Sequence, residues 1–252
     1  MKIHVIESGS RGNASLVEHN GHLFMIDNGV PLFVLENALK ELGYNIYDID
    51  ALFVTHLHSD HTKGIKYMPP LPIYATEGTY EGNNVNFIKA YEPFMFQEFK
   101  VTPVGISHDV PNPVGFIFES DDEKLVYITD TGYIPDKTLE YMHNADYYVI
   151  ESNHNRKMLY ACDRPLSLKE RIASDTGHLS NEDSAQYMAD LVGEKTKAIV
   201  LAHISLESNT YELAREVFIK KFKRRHIPLD NLEIISARQD KMVSVGKDIK
   251  DE

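Results

Sequence analysis

The sequence contains a single cysteine, Cys162, among its 252 residues. One thiol cannot form a disulfide within the chain, and Cys162 lies far in sequence from the histidines that could bind a metal. We therefore expect Cys162 to pack or to lie at the surface, and not to act as a ligand.

Long apolar runs and linkers are also missing. No run approaches the roughly 18 apolar residues that a membrane span needs, and residues 1–7 resemble a first strand more than the apolar core of a signal peptide. We expect no membrane association and a cytoplasmic location. Because no stretch rich in Pro, Gly or Ser divides the chain, we predict a single domain over residues 1–252.

Positive charge is scarce. The 26 Lys and Arg residues are outnumbered by 38 Asp and Glu residues, which gives a formal net charge of −12. Proteins that bind long nucleic acids over much of their surface are usually basic, so the acidity disfavours such a partner. Two bound divalent ions would offset about four negative charges, however, so the potential at a metal site can differ from that of the whole protein.

Strand-type segments alternate with helical ones. Asn20-Gly21 is a strong hairpin signal, and a helical pattern ending at Gly43 predicts a glycine-capped helix. We predict strands near 2–7, 14–19, 22–27, 51–54, 73–74, 100–107, 114–119, 124–129, 147–151, 197–202, 231–236 and 241–245. We predict helices near 32–42, 136–143, 166–174, 181–192 and 210–224. The pattern favours an α+β fold in which sheets pack face to face with helices outside.

Residues 55–61, Thr-His-Leu-His-Ser-Asp-His, place four potential metal ligands directly after the predicted strand 51–54. In an extended turn, residues two apart point the same way, so His56 and His58 could reach one ion together. Asp60 and His61 would face a different direction. Four ligands this close in sequence suit two ions better than one, and the segment therefore predicts a two-metal site.

Three further candidate ligands also follow apolar strands. His108 ends the run 101–107, Asp130 ends 125–129 and His203 ends 198–202. A single histidine at a strand end is more often a hydrogen-bonded structural residue than a ligand. Three polar residues in the same placement as His56 are together a stronger indication of a metal site.

These residues resemble a known family. His56, His58, Asp60 and His61 match the His-x-His-x-Asp-His signature of the metallo-β-lactamase superfamily. Within that superfamily, the segments Ser8–Ala14, Ile150–His154, Ser174–Asn181 and Leu201–Ser205 resemble the YycJ/WalJ subfamily of bacterial proteins, and the likeness covers nearly the whole chain.

The resemblance implies a four-layer αββα sandwich and a specific division of the ligands. It implies one metal on His56, His58 and His108, a second on Asp60, His61 and His203, a bridge by Asp130, and structural support from Asp27. Because all of these ligands offer nitrogen or oxygen, the two divalent ions could be zinc or manganese, and iron would also fit.

Such a site would hydrolyse its substrate with a hydroxide held between two ions about 3.5–4 Å apart as the nucleophile, and Asp60 could orient that hydroxide. His178 stands just before Ser180, which can cap a helix beginning at Asn181 in a capping-box-like arrangement with Asp183. Free amides at that helix start could bind a phosphate, and His178 could bind it or protonate the leaving alkoxide. The alternative is that Ser180 only caps and His178 only packs.

Other polar segments keep two interpretations. His154 could assist the site or be structural. Ser10, Arg11 and Asn13 could approach substrate or form a tight turn. The basic run 220–225, near the end of a predicted helix, fits a solvated helix end better than a DNA-binding patch, because charge runs are usually solvated and cations complement the helix dipole there.

The resemblance points to a two-metal phosphodiesterase, and more specifically to a 5′→3′ exonuclease whose partner is DNA. A hydrolase of small phosphodiesters would fit the acidic composition better. A non-catalytic metal-binding regulatory protein is the third hypothesis, and the full ligand set argues against it because a structural metal needs no open position for water.

Overall fold

The computed structural model describes residues 1–246, so residues 247–252 of the predicted domain lie outside the described part. The strands are β1 (Lys2–Glu7), β2 (Ala14–His19), β3 (His22–Asn28), β4 (Ala51–Phe53), β5 (Ile73–Thr76), β6 (Val85–Ile88), β7 (Phe94–Phe96), β8 (Phe99–Gly105), β9 (Val114–Glu119), β10 (Lys124–Ile128), β11 (Tyr147–Glu151), β12 (Ala198–Ala202), β13 (Glu233–Ser236) and β14 (Val243–Gly246).

The helices are α1 (Leu32–Leu42), α2 (Ser59–Thr62), α3 (Asp136–Met142), α4 (Arg156–Ala161), α5 (Leu166–Ile172), α6 (Asn181–Leu191) and α7 (Tyr211–Arg224). Helix α1 ends at Gly43 in the left-handed conformation, as predicted. Within residues 1–246, no helix is long and apolar enough to cross a membrane.

The chain divides into two compact units. The first contains Met1–Glu92, Val110–Val114 and the described residues from Ala237 onward. Its seven strands have the order β14-β1-β2-β3-β4-β5-β6. The predicted hairpin joins β2 to β3, with positive φ at Asn20 and Gly21. Strands β3 and β4 are parallel, so the loops that follow them begin at the same edge of this sheet.

The first unit has an apolar core in which helix α1 is anchored. Leu35 and Leu39 of α1 are fully buried in a cluster with side chains from β2, β3 and β4, including Leu16, Met25 and Leu52. This packing fixes the strands whose ends carry Asp27 and the segment 55–61.

The second unit contains Pro93–Asp109 and Gly115–Ser236. Its strand order is β13-β12-β11-β10-β9-β8-β7, and β10, β11, β12 and β13 run parallel. All residues of β11 and β12 are buried, as is usual for the apolar strands of parallel sheets. The carboxyl ends of parallel strands meet at one sheet edge, where ligands commonly bind, and here that edge carries Asp130, Glu151 and His203.

Candidate metal centre

In the first unit, the buried carboxylate of Asp27 organises the loop that follows β4. It accepts hydrogen bonds from the Thr55 backbone amide at 2.8 Å and the Thr55 hydroxyl at 2.7 Å. It also lies 2.7 Å from Nδ1 of His61, and both side chains are fully buried. Because a carboxylate can only accept, His61 carries its proton on Nδ1 and presents the lone pair of Nε2.

The contacts of Thr55 also determine which nitrogen of His56 carries the proton. The Thr55 hydroxyl has one proton and donates it to Asp27, so it must accept from Nδ1 of His56, 3.0 Å away. The Nε2 atom of His56 therefore presents its lone pair. It lies 3.2 Å from Nδ1 of His58, which places two ring nitrogens of the predicted ligand pair side by side.

Asn13 braces this loop from the segment between β1 and β2. Its backbone amide donates to the Asp60 carbonyl at 2.8 Å, and its side-chain nitrogen lies 2.9 Å from Nε2 of His61. The Asn13 side chain also bonds both backbone groups of Gly9, which makes a tight turn. Asn13 is buried whereas Ser10 and Arg11 are exposed, so the tight-turn interpretation holds for Asn13.

In the second unit, the loops after β8 and β10 are joined by backbone contacts. The Ser107 amide donates to the Thr131 hydroxyl at 3.0 Å, and the Gly132 amide donates to the Ser107 carbonyl at 2.9 Å. These bonds hold His108 and Asp130 in neighbouring loops of the same unit. Burial lowers the pKa of His108, which favours the neutral imidazole that a metal ligand must be.

Glu151, at the end of β11, joins the loops of this unit, and the sequence does not predict it as a site residue. One oxygen lies 2.8 Å from Nδ1 of His178 and 2.9 Å from Nδ1 of His203. The other oxygen accepts from the backbone amides of Thr131 at 2.8 Å and Leu179 at 3.2 Å. Burial alone would raise the pKa of Glu151. The attraction of His178 and the hydrogen bonds from both rings outweigh burial and lower the pKa of Glu151 to about 2.

An ionised carboxylate accepts only, so His178 and His203 both carry a proton on Nδ1 and present Nε2. Ligand atoms of Asp130, Glu151, His178 and His203 lie within 4.8 Å of one another. Since both oxygens of Glu151 are engaged by N–H donors, this cluster is a hydrogen-bonded support for the rings and not a four-ligand cation site. Metal-binding histidines are commonly held by a carboxylate in this way.

The helix start near His178 differs in part from its prediction. Ser180 caps α6 by accepting from the Asp183 amide at 3.1 Å, as predicted, and its hydroxyl donates to the Asp183 carboxylate at 2.6 Å. Some of the amides near this helix start are used by the protein, however, because Leu179 donates to Glu151 and Asn181 donates to the His154 carbonyl. These contacts disfavour a phosphate pocket formed by the helix-start amides. His178 remains a fifth exposed at its side chain, held by Glu151 and not by the helix.

His154 and its neighbours support the site from within the second unit. Its carbonyl accepts from Asn181, its side chain is buried, and burial lowers its pKa to about 4. The adjacent Asn153 side chain donates to the His203 carbonyl at 2.8 Å, and Asn209 bonds the Asn153 carbonyl at 3.1 Å. These contacts favour the structural interpretation of His154.

The donor atoms suit divalent cations of the zinc and manganese type. A tetrahedral ion with metal–nitrogen bonds of about 2.0–2.1 Å has ligand atoms about 3.3 Å apart, close to the 3.2 Å between His56 Nε2 and His58 Nδ1. Imidazole and carboxylate are ligands that zinc, manganese and iron all accept. Each unit also holds a histidine through a buried carboxylate, Asp27 for His61 and Glu151 for His203.

Three of these residues have an unusual backbone. Asp27, Asp130 and His203 follow or end strands with φ values of 55°, 55° and 54°. A left-handed conformation is uncommon for residues other than glycine, although Asp and His are among those that tolerate it. Conformations of this kind cost of order 1 kcal/mol and concentrate at functional sites, where the surrounding contacts hold them.

Two predicted features lie apart from these clusters. Cys162 is a free, partly buried thiol whose sulfur contacts the Leu159 carbonyl at 3.2 Å. In the basic run, Lys220 pairs with Glu216 at 3.1 Å and Arg225 with Asp190 at 2.7 Å. These exposed ion pairs at the end of α7 favour the interpretation of the basic run as a solvated helix end.

Comparisons with known proteins identify the family of the chain. Residues 23–204 match the family model described as a β-lactamase superfamily domain. The chain is 38% identical over 224 residues to exodeoxyribonuclease YycJ of Bacillus anthracis, covering 84% of this chain and 85% of that protein. It is 33% identical over 235 residues to exodeoxyribonuclease WalJ of Streptococcus pneumoniae serotype 2, covering 87% of each.

The fold is shared with solved structures. The metallo-β-lactamase fold protein YhfI from Bacillus subtilis superposes with a TM-score of 0.72 at 18% identity, covering 97% of this chain and 99% of that one. The predicted metallo-β-lactamase-like α+β fold is confirmed, and this fold implies binding of divalent metal. The chain is a metal-dependent hydrolase that belongs to the metallo-β-lactamase superfamily and is similar, within it, to the YycJ and WalJ proteins.

Proposed function

We propose that the chain is a two-metal phosphodiesterase that degrades DNA as a 5′→3′ exonuclease, in the cytoplasm. The observation that carries this proposal is the similarity, over most of both chains, to two proteins named exodeoxyribonucleases. Every ligand position that the family resemblance implies is also filled in this sequence.

The proposed ligands come from both units. One ion would take His56, His58 and His108, the second would take Asp60, His61 and His203, and Asp130 would bridge them. Because the resemblance assigns ligands of both units to the same pair of ions, we propose that residues 1–252 act as one domain. When bound, two divalent ions would activate a water molecule as nucleophile and stabilise charge on the phosphate.

The protein would prepare its own ligands for this task. Asp27 and Glu151 hold protons on Nδ1 of His61 and His203, which leaves Nε2 of each ring unprotonated and able to bind a cation, at His61 in place of the contact with the Asn13 side chain. Thr55 does the same for His56. Asp60 is partly exposed at its side chain, which would let it orient the attacking water as well as bind metal.

His178 would act as the general acid. Its Nδ1 is committed to Glu151 at 2.8 Å, so Nε2 is the atom that could hold a proton and give it to the leaving alkoxide. The buried Glu151 carboxylate would stabilise the protonated ring, as a buried carboxylate stabilises imidazolium in hydrolytic triads.

A hydrolase of small phosphodiesters is the second candidate. The formal net charge of −12 favours it, because a long DNA strand would be repelled by most of an acidic surface. The two candidates need the same metal chemistry and differ in how the substrate is bound.

The deciding experiment uses duplex DNA labelled at one end and protein loaded with manganese or zinc. A 5′→3′ exonuclease releases a 5′ label at once in mononucleotides or short products, whereas a 3′-labelled strand shortens progressively. The opposite order would reverse the polarity. Turnover of bis(p-nitrophenyl) phosphate without any DNA cleavage would select the second candidate.

Variants test the proposed residues in the same assay. Asp60→Ala and His61→Ala should abolish cleavage of either substrate, and chelation of the metal should do so reversibly. His143→Ala, at an exposed histidine outside the site, is the matched control. Full activity of Asp60→Ala or His61→Ala would contradict the proposed ligand set.

A further inference from the structure

Two exposed cations, Arg11 and Lys63, stand beside the metal-binding segment of the first unit. Arg11 belongs to the first loop, residues 8–13, and Lys63 to the metal loop, residues 56–64. The Lys63 ammonium donates a hydrogen bond to the Arg11 carbonyl, so the two residues are in direct contact.

The first loop is fixed to the metal loop by close backbone packing. The Asn13 amide donates to the Asp60 carbonyl at 2.8 Å, two residues from Arg11. A Cβ at Gly12 would lie 2.6 Å from the Gly29 carbonyl, and a Cβ at Gly29 would overlap the Asp60 carbonyl. Because these glycines allow three loops to touch, Arg11 is held at a defined place next to Asp60.

Arg11 differs from most arginines of the chain in its surroundings. Five arginines elsewhere in residues 1–246 pair with a carboxylate: Arg156, Arg164, Arg171, Arg225 and Arg238. The Arg11 guanidinium has no such ion pair with a described residue. Besides Asp60, the half-buried Glu7 is an acidic group of this region, and it interacts electrostatically with Arg11, Lys63 and Asp240 without a direct ion pair to Arg11 or Lys63.

Both side chains keep donors for an anion. A guanidinium has five N–H donors in a fork that fits phosphate. The Lys63 ammonium has three donors and spends one on the Arg11 carbonyl. In an acidic chain, two exposed cationic residues in contact at the metal loop are suited to a substrate phosphate.

We propose that Arg11 and Lys63 form a phosphate-binding pair that holds the backbone of the DNA strand beside the metal loop. The inference rests on the proposed nuclease function, since its ligand is a phosphate of the same strand that is cut. A local pair of cations can bind a strand that most of an acidic surface would repel, so the net charge of −12 is compatible with a DNA substrate.

The test measures binding separately from cleavage. Metal-loaded protein is titrated into a fluorescent single-stranded phosphorothioate oligonucleotide, which resists hydrolysis, and anisotropy is followed from 50 to 300 mM salt. The double variant Arg11→Gln/Lys63→Gln is compared with wild type and with Lys223→Gln/Arg224→Gln. The latter removes two exposed charges at the end of α7.

We expect the Arg11/Lys63 variant to bind about tenfold more weakly or worse. The slope of log affinity against log salt should fall by about 1.4, since each phosphate contact contributes about 0.7 on a single strand. If the double variant folds poorly, Arg11→Gln alone takes its place. It keeps the Lys63 contact with the Arg11 backbone carbonyl and should show about half of that change in slope.

Equal affinity and equal salt slope in the Arg11/Lys63 variant and wild type would overturn the inference. So would an equal loss in the Lys223/Arg224 control, which would mean that only net charge matters. A wild-type chain that binds the oligonucleotide through Arg11 and Lys63 but cuts no DNA would refute the exonuclease proposal and still support the phosphate-binding pair.

Discussion

Replacing Glu151 with Gln keeps the size of the side chain and turns one of its two oxygens into an NH2 group. If the amide oxygen faces His178 and His203, the NH2 faces the backbone amides of Thr131 and Leu179, and donors then meet donors. If the amide is reversed, the NH2 meets both Nδ1 atoms. The rings must then move their protons to Nε2, and His203 can no longer offer that atom to a metal.

The size of the effect follows from these contacts. Loss of a carboxylate that orients a metal-binding histidine typically lowers metal affinity 10–100-fold, or about 1.4–2.7 kcal/mol. Two buried amides without acceptors cost about 1–3 kcal/mol each, and partial relaxation of the loops should reduce the total. We expect Glu151→Gln to lower the free energy of unfolding by about 2–4 kcal/mol.

Metal affinity is measured by isothermal titration of the metal-free protein, stability by urea unfolding, and activity at saturating metal. Glu123→Gln is the control, because Glu123 is a less buried carboxylate of the second unit that pairs with Lys197 at 2.8 Å and contacts no histidine of the site. Wild-type metal affinity and wild-type kcat in Glu151→Gln would refute the proton assignment for both rings.

Three further predictions separate the roles of individual groups. His178→Ala should lower kcat by about 10²–10⁴-fold with metal content unchanged, since general acid catalysis contributes that much; a parallel loss of metal would instead make His178 a ligand. Asp27→Asn should lower metal affinity about 10–100-fold, because Asp27 holds His61 but not His178. With metal added to saturation, the pH dependence of kcat should stay that of wild type. A shifted pH profile would mean that Asp27 also affects the general acid. The pKa of His154 is lowered by burial from 6.5 to about 4, so its stabilising contribution is complete above pH 6.5 and is lost as the pH falls toward 4. Between pH 6.5 and pH 4, urea unfolding should show that wild type loses roughly 3 kcal/mol more free energy of unfolding than His154→Asn. Equal losses would contradict the lowered pKa of His154.

The strands and helices that the sequence predicts are those with strong local signals. The hairpin at Asn20-Gly21, the glycine-ended α1 and the Ser180 cap of α6 each depend on residues next to one another in the chain. The sequence does not predict strands β6 and β7. They are short strands at the edges of their sheets, and β6 exposes Asn86 and Phe87 in succession instead of alternating buried and exposed side chains.

The sequence predicts those members of the candidate site that are potential metal ligands and directly follow an apolar strand. The sequence indicates His108, Asp130 and His203 as candidates because each polar residue ends an apolar run. Glu151 satisfies the same rule at the end of β11. Its role, however, depends on contacts with the rings of His178 and His203, which lie 27 and 52 residues away in sequence. Such convergence depends on the register of parallel strands and on the path of the loop before α6, which no local pattern records.

Two buried carboxylates hold histidines that we propose as metal ligands. Burying an ionised carboxylate without partners is costly, and removing one partner of a buried pair leaves an uncompensated charge. Asp27 and Glu151 meet this cost with three and four N–H or O–H donors respectively. The same contacts hold the protons on Nδ1 of the histidines. They therefore stabilise the folded chain and also leave Nε2 as the nitrogen that each histidine can offer to a ligand. Changes at Asp27 or Glu151 should therefore reduce stability and metal binding together, whereas a change at His178 should affect the reaction alone.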